Sequence, residues 1–459
     1  MCQANEQKRN LLAVLVLLLL SVSLVLLAMP ERERLLVYAI LWPLAVASLL
    51  LTAVCAPKKC TPVIWIGMGM AVWTLVCNMI NGDWYLQFNL RYVYGIALAF
   101  GLGLCLFPVL GEKSEKWLPA FLLVFALYAL ALAAISCYAC LRDRLIQLPF
   151  TEGTIGITAY RLYAFHKHPN EVGCLLNLGL LCWMMLAFRA PRWWQKIPCL
   201  LALLPICFAV ALTVSRTTIT LTALALGGFC LVAVTKKAYL PRWIAGLLAM
   251  ALVFAVALWT MMTGIPQMLP SGAPQAQAEQ QPAPAQVEQT AEVPRDQHLW
   301  QRSYTDGIGT FSMRTDIWKA GIQYLKENPM TLLTGSTDGD VARIPGRMLG
   351  RPEYHLHNAW LEVLLQAGIP GLLMMAAVFL RTFFASARLF FGRHNACWLR
   401  TLAAAPVLMT ACTLMETYPA VSANVTDMMM LLLCGAVIAL DISKHSNGSF
   451  RSKFDQITR

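Results

Sequence analysis

Apolar residues fall along this chain in long unbroken runs rather than in the one-in-two alternation of a strand. The runs lie near 11–29, 36–54, 62–80, 92–110, 118–138, 171–188, 197–214, 217–234, 243–262, 359–380, 398–415 and 425–441. Each is roughly 17 to 25 residues long, enough for a helix to cross a hydrocarbon layer about 30 Å thick. A helix is the economical form there, because lipid offers no partner to an unpaired peptide group and nothing in the runs suggests a barrel. The pattern predicts an all-α integral membrane protein of about twelve transmembrane helices. The first run follows Lys8 and Arg9, yet it is longer than the apolar part of a signal peptide and lacks a small-residue cleavage site. It reads as a retained first helix.

The polar residues then set the organisation. Helices one to nine are expected within 1–262, a large loop over 263–358, helices ten to twelve within 359–441 and a tail over 442–459. Residues 271–296 are rich in Ala, Gln, Pro and Glu and read as a disordered insert in the large loop. Beyond the insert, Ile317, Trp318, Gly321, Ile322 and Leu325 form a helical stripe over Met313 to Glu327, suited to a helix lying on the membrane surface, and Asn328 and Pro329 stop it.

Charge gives an orientation. Lys58 and Lys59, Lys113 and Lys116, Arg189, Arg192 and Lys196, Lys236, Lys237 and Arg242, and Arg381, Arg388, Arg393 and Arg400 occupy alternate loops, which therefore belong in the cytoplasm. Both termini fall on that side, and the long segments 139–170 and 263–358 fall outside. The net charge of +12 is then a topological signal with attraction to membrane lipids, and no nucleic-acid partner is implied. A hydrophobic content of 58%, a charged content of 13% and a mean hydropathy of +0.59 exclude a soluble domain of 459 residues.

Most of the 15 cysteines sit in apolar runs as small hydrophobes. Cys137 and Cys140 form C-x-x-C, either a redox or metal half-site or simply two helical cysteines. His166 with His168 and His355 with His357 form two H-x-H pairs, but no clustered carboxylates accompany them to hold a hard cation. No cofactor is expected. Arg216, Glu362, Glu416 and Asp427 lie toward the outer ends of the spans, where burying an ionisable group usually serves a purpose. Nothing comparable marks the middle of the bundle, which favours a reaction at the outer surface over passage through it.

His357 and Asn358 precede Gly368 and Gly371 in an H-N-x9-G-x-x-G pattern at the start of a helix. With Arg161, Phe165, Pro169 and Asn170, the pair Ser215 and Arg216, and the block Arg314, Trp318, Pro329 and Gly335, it resembles the O-antigen ligase and polymerase family of bacterial membrane glycosyltransferases over roughly 160–375. The insert before Arg314 departs from the family pattern. The resemblance implies a GT-C-like, metal-independent enzyme at the outer face of the bacterial inner membrane. It would move a glycan from an undecaprenyl-pyrophosphate carrier to a hydroxyl of a saccharide or lipid-linked saccharide acceptor. The alternative class is a polysaccharide or lipid exporter, and a third is a membrane anchor presenting a binding loop.

On that reading Arg216, at a helix opening beside Ser215, and Arg314 on the amphipathic helix bind the pyrophosphate. Each has an alternative as an interfacial arginine reaching for headgroups. His357 is the candidate general base, with a helix cap or interface histidine as its alternative. Asn358 and Glu362 would orient the imidazole or bind sugar hydroxyls, unless Glu362 pairs with an arginine. Arg161 and Asn170 are donor-binding candidates, unless Asn170 simply caps the sixth span.

Overall fold

A computed structural model describes residues 2–26, 29, 31–56, 61–81, 95–148, 153–158, 161–165, 168–235, 240–264, 314–336, 341, 344–350, 356–392, 395–416 and 425–446. The insert 271–296, Lys236, Lys237, His166, His355, Arg343 and Arg351 lie outside them.

Helix occurs at each of the twelve predicted places. The first three helices are α1 (Cys2–Leu26), α2 (Glu31–Cys55) and α3 (Thr61–Ile80). A π-helical stretch, Ala97–Gly103, leads into α4 (Leu104–Leu110), and α5 (Ser114–Leu141) follows. Then come β1 (Ile155–Thr158), β2 (Arg161–Ala164), α6 (Pro169–Arg189), α7 (Trp193–Leu201), α8 (Leu203–Leu212), α9 (Arg216–Val234) and α10 (Leu240–Trp259). The last elements are α11 (Arg314–Glu327), α12 (Thr331–Thr334), α13 (Ile344–Leu349), α14 (Ala359–Phe391), α15 (Cys397–Thr413) and α16 (Val425–Ser446).

Among the described residues, eight helical segments are long and apolar enough to cross a membrane, and Leu41–Cys55, Pro62–Cys77 and Cys397–Thr413 are shorter apolar helices. One of the eight, Ala97–Leu141, runs for 45 residues, over twice the length of one passage. Gly111, at φ 59°, interrupts it with the 3-10 turn Gly111–Lys113. The protein is an all-α polytopic membrane protein. Its one departure is an antiparallel hairpin among the described residues, pairing Ile157 with Leu162 and Thr158 with Arg161.

Helices α6 and α16 form the centre and are almost wholly buried, whereas α10 presents Leu248, Leu252, Val256 and Trp259 outward, which suits a lipid-facing helix. Close approach in such a bundle relies on small residues. A Cβ on Gly435 of α16 would stand 2.3 Å from the carbonyl oxygen of Leu104, so only glycine lets α4 and α16 touch there.

Helix α14 is broken at Gly368, which takes the left-handed φ of 62°. The freed carbonyls find partners: the Trp73 indole N–H donates to Ala367 O at 2.8 Å, and Ser336 N donates to Leu365 O at 2.7 Å. The short helix α12 seats in the break. A Cβ on Gly368 would lie 2.6 Å from Leu333 O, and one on Gly335 (φ 79°) 2.1 Å from Gln366 O. Two of the glycines in the sequence pattern are thus fixed by one interlock.

Helix α11 begins and ends where its stripe predicts, but its apolar face is turned toward protein rather than lipid. Ile317, Tyr324 and Leu325 pack with Ile344, Leu356 and Leu365 in a second apolar cluster, while Ile322 stays exposed. The apolar surface it meets lies on α13 and the N-terminal half of α14.

Candidate active site

Three helices begin at one end of the bundle, each after a residue in a strained backbone conformation. Phe165 (φ 51°), Val214 (φ 52°) and His357 (φ 50°) are non-glycine residues in the left-handed region. For a β-branched valine this is an outlier, and such strain clusters where structure is held for function. The caps follow at once. His168 accepts from Asn170 N at the start of α6, Ser215 from Thr218 N at the start of α9, and Asn358 from Trp360 N and Leu361 N at the start of α14. Each start carries backbone N–H groups and the positive end of a helix dipole.

Glu416, just beyond α15, lies fully buried between them. Arg314 ion-pairs with its Oε1, Asn170 Nδ2 donates to the same oxygen at 2.8 Å, and His357 Nδ1 lies 3.1 Å from Oε2. Asn170 Oδ1 accepts from Arg161 Nη2 at 3.0 Å, and Arg161 Nε donates to Thr213 O at 3.0 Å. The chain of contacts therefore runs from the hairpin through α6 to α15, α11 and α14. Burial raises the Glu416 carboxyl, but the His357 hydrogen bond, the Arg314 charge, the pull of His357 and the Asn170 amide together outweigh it. Its pKa lies below the ordinary carboxylate value. Glu416 is thus an anion at neutral pH, so His357 Nδ1 carries the proton it shares and Nε2 is the basic nitrogen.

The fold brings Arg161, Asn170, Arg314 and His357 together. Asn170 does not cap α6: His168 does, with Pro169 next to it, and the Asn170 side chain turns inward to Arg161 and Glu416. Asn358 is committed to the fold, capping α14 and donating to Leu414 O at 3.2 Å. Glu362 is buried one turn further on, with Gln366 Nε2 donating to it at 3.3 Å. Arg216 opens α9 exposed, and among the described residues it makes no ion pair. It stands three residues from Thr213, whose carbonyl Arg161 holds. Cys137 is an ordinary helical cysteine whose Sγ donates to Pro205 O, and among the described residues no three metal-ligating side chains gather.

At this end of the bundle an arginine opens one helix, a second lies at the start of the loop helix, and a histidine stands at the mouth of the next. Residues 200–376 match the O-antigen ligase family model. The O-antigen ligase match runs from the end of α7 into α14, past Gly371, and takes in Arg216, Arg314, His357, Asn358 and Glu362. It points to a membrane glycosyltransferase-like role with lipid-linked saccharide substrates. Arg161, Asn170 and Glu416 lie outside the matched stretch, and the fold carries them to the same place. No curated protein matches the chain.

Proposed function

We propose that the chain transfers a glycan from an undecaprenyl-pyrophosphate carrier to the hydroxyl of a saccharide or lipid-linked saccharide, at the outer face of the bacterial inner membrane. The observation that carries this reading is the contact of His357 Nδ1 with the buried Glu416, which gives the imidazole the setting of a general base. The acceptor oxygen attacks the anomeric carbon, and its proton passes to His357 Nε2. The bond from the anomeric carbon to the phosphate oxygen breaks, and polyprenyl pyrophosphate leaves with the electron pair. Glu416 balances the imidazolium that forms. Arg216, with the helix starts, meets the charge growing on the pyrophosphate, while Arg161 and Arg314 border the same space and add positive potential.

Orientation rests on the charge pattern. The end opposite the site gathers Arg189, Arg381, Arg388, Arg400 and Lys444, which suits the cytoplasmic side. The reading places about twelve spans between the two ends and both termini with the basic residues. Neutralising the pyrophosphate with arginines makes the reaction independent of divalent metal.

Purified full-length protein, incubated in detergent with radiolabelled lipid-linked glycan extracted from the source cells, tests the reading. A new covalent glycan product formed in the presence of chelator is expected. Label moved across proteoliposomes without a new product would establish the exporter instead.

A further inference from the structure

Resting on the function proposed above, we infer that His168 is the partner of His357, donating a hydrogen bond from Nε2 that holds the acceptor hydroxyl in line with the base. His168 Nδ1 accepts the backbone N–H of Asn170 at 3.2 Å. A backbone N–H only donates, so Nδ1 is unprotonated and a neutral His168 carries its hydrogen on Nε2. His357 is arranged the opposite way, with Nδ1–H toward the Glu416 carboxylate and its lone pair on Nε2. One ring therefore offers a proton and the other receives one.

The two ring centroids lie 6.4 Å apart, at 61° to each other. Ring atoms stand only about 1 Å from their centroid, so the two imidazoles do not hydrogen-bond directly, and the spacing leaves room for one oxygen between them. A hydroxyl has one hydrogen to give and lone pairs to accept with. Between these rings it gives its hydrogen to His357 and accepts from His168, which aims the remaining lone pair at the sugar. Tyr163, on the hairpin, packs edge-on against His168 with centroids 6.5 Å apart. The site is thereby built for an alcohol as acceptor.

Two substitutions separate this role from simple capping. His168→Asn keeps an oxygen where Nδ1 accepts, and Asn is a good N-cap, but it removes the Nε2 donor. His168→Gln places an amide N–H near the Nε2 position and weakens the cap. Each is assayed as full-length protein with the lipid-linked glycan fraction of the source cells as substrate, and with undecaprenyl pyrophosphate as a competing donor-site probe. Transfer per folded molecule is expected to fall about tenfold in His168→Asn, the effect of one lost hydrogen bond. The loss should appear as a lower kcat and a higher KM for acceptor, with inhibition by undecaprenyl pyrophosphate unchanged. His168→Gln is expected to unfold more readily yet transfer faster than His168→Asn. Wild-type transfer by His168→Asn, or an equal loss in both variants with weakened inhibition, would overturn the inference and leave His168 a cap. Absence of any product from the wild-type protein would instead count against the function on which it rests.

Discussion

Glu416 and His357 lie 59 residues apart in sequence, on the end of one helix and the mouth of another, and meet at 3.1 Å. Glu416 is fully buried and His357 is partly exposed, so the carboxylate stands behind the imidazole and the ring faces the open side. In the proposed reaction Glu416→Gln slows transfer by about 10²- to 10⁴-fold, as neutralising a carboxylate behind a catalytic histidine does. Transfer rates of the folded variant check this. A rate equal to wild type would make the contact structural only.

The same carboxylate gives a pH signature. Its folded pKa is lowered, so its stabilising contribution is complete above the unfolded carboxyl value of about 4.3 and disappears as pH falls through the lower folded value. The difference in thermal stability between wild type and Glu416→Gln should shrink as pH falls below about 4.3. A difference that grew as pH fell below about 4.3 would contradict this sign.

Two arginines should separate. Arg314 is the cation of a buried ion pair, and Arg314→Ala leaves Glu416 without it, a change that costs about 3–5 kcal/mol in stability when the pair is deeply buried and less at this partly exposed arginine. Arg216 is exposed, so Arg216→Ala should leave unfolding within about 0.5 kcal/mol of wild type. Its effect should fall on donor turnover, with Arg216→Lys milder because a point charge survives. Unfolding in detergent beside transfer assays distinguishes the two. Equal destabilisation by both would contradict the placement of Arg216.

What was legible in the sequence follows from how local each signal is. The twelve runs depend only on length and apolarity, so each appears as helix. Arg314, His357 and Asn358 lie at helix starts marked by stripe, stop and cap patterns, which are read within a few residues. Glu416 shows in sequence only as an ionisable residue at the lip of a span, because its partners come from three other elements. The hairpin carrying Arg161 has two strands of four residues, too short for alternation to declare them. Asn170 reads as a cap by residue type. The His-Pro pair before it, with proline at the first helical position, is the signal that locates the cap one step earlier, at His168.

Gly368 shows why the glycine spacing exists. Gly368→Ala forces an L side chain into a left-handed backbone at a cost of about 1–3 kcal/mol and drives a Cβ to 2.6 Å from Leu333 O. It should destabilise the protein and loosen α12, read as faster hydrogen exchange over Thr331–Thr334. Unchanged exchange there would contradict the interlock.

The central claim is that His357 takes the acceptor proton while arginines and helix starts hold the donor. Its most direct test compares wild type with His357→Ala at saturating lipid-linked glycan, measuring single-turnover transfer and, separately, inhibition by undecaprenyl pyrophosphate. The account predicts transfer slower by about 10²- to 10⁴-fold, the range for loss of a positioned base, with inhibition unchanged. Transfer by His357→Ala at the wild-type rate, from a folded protein, would contradict it.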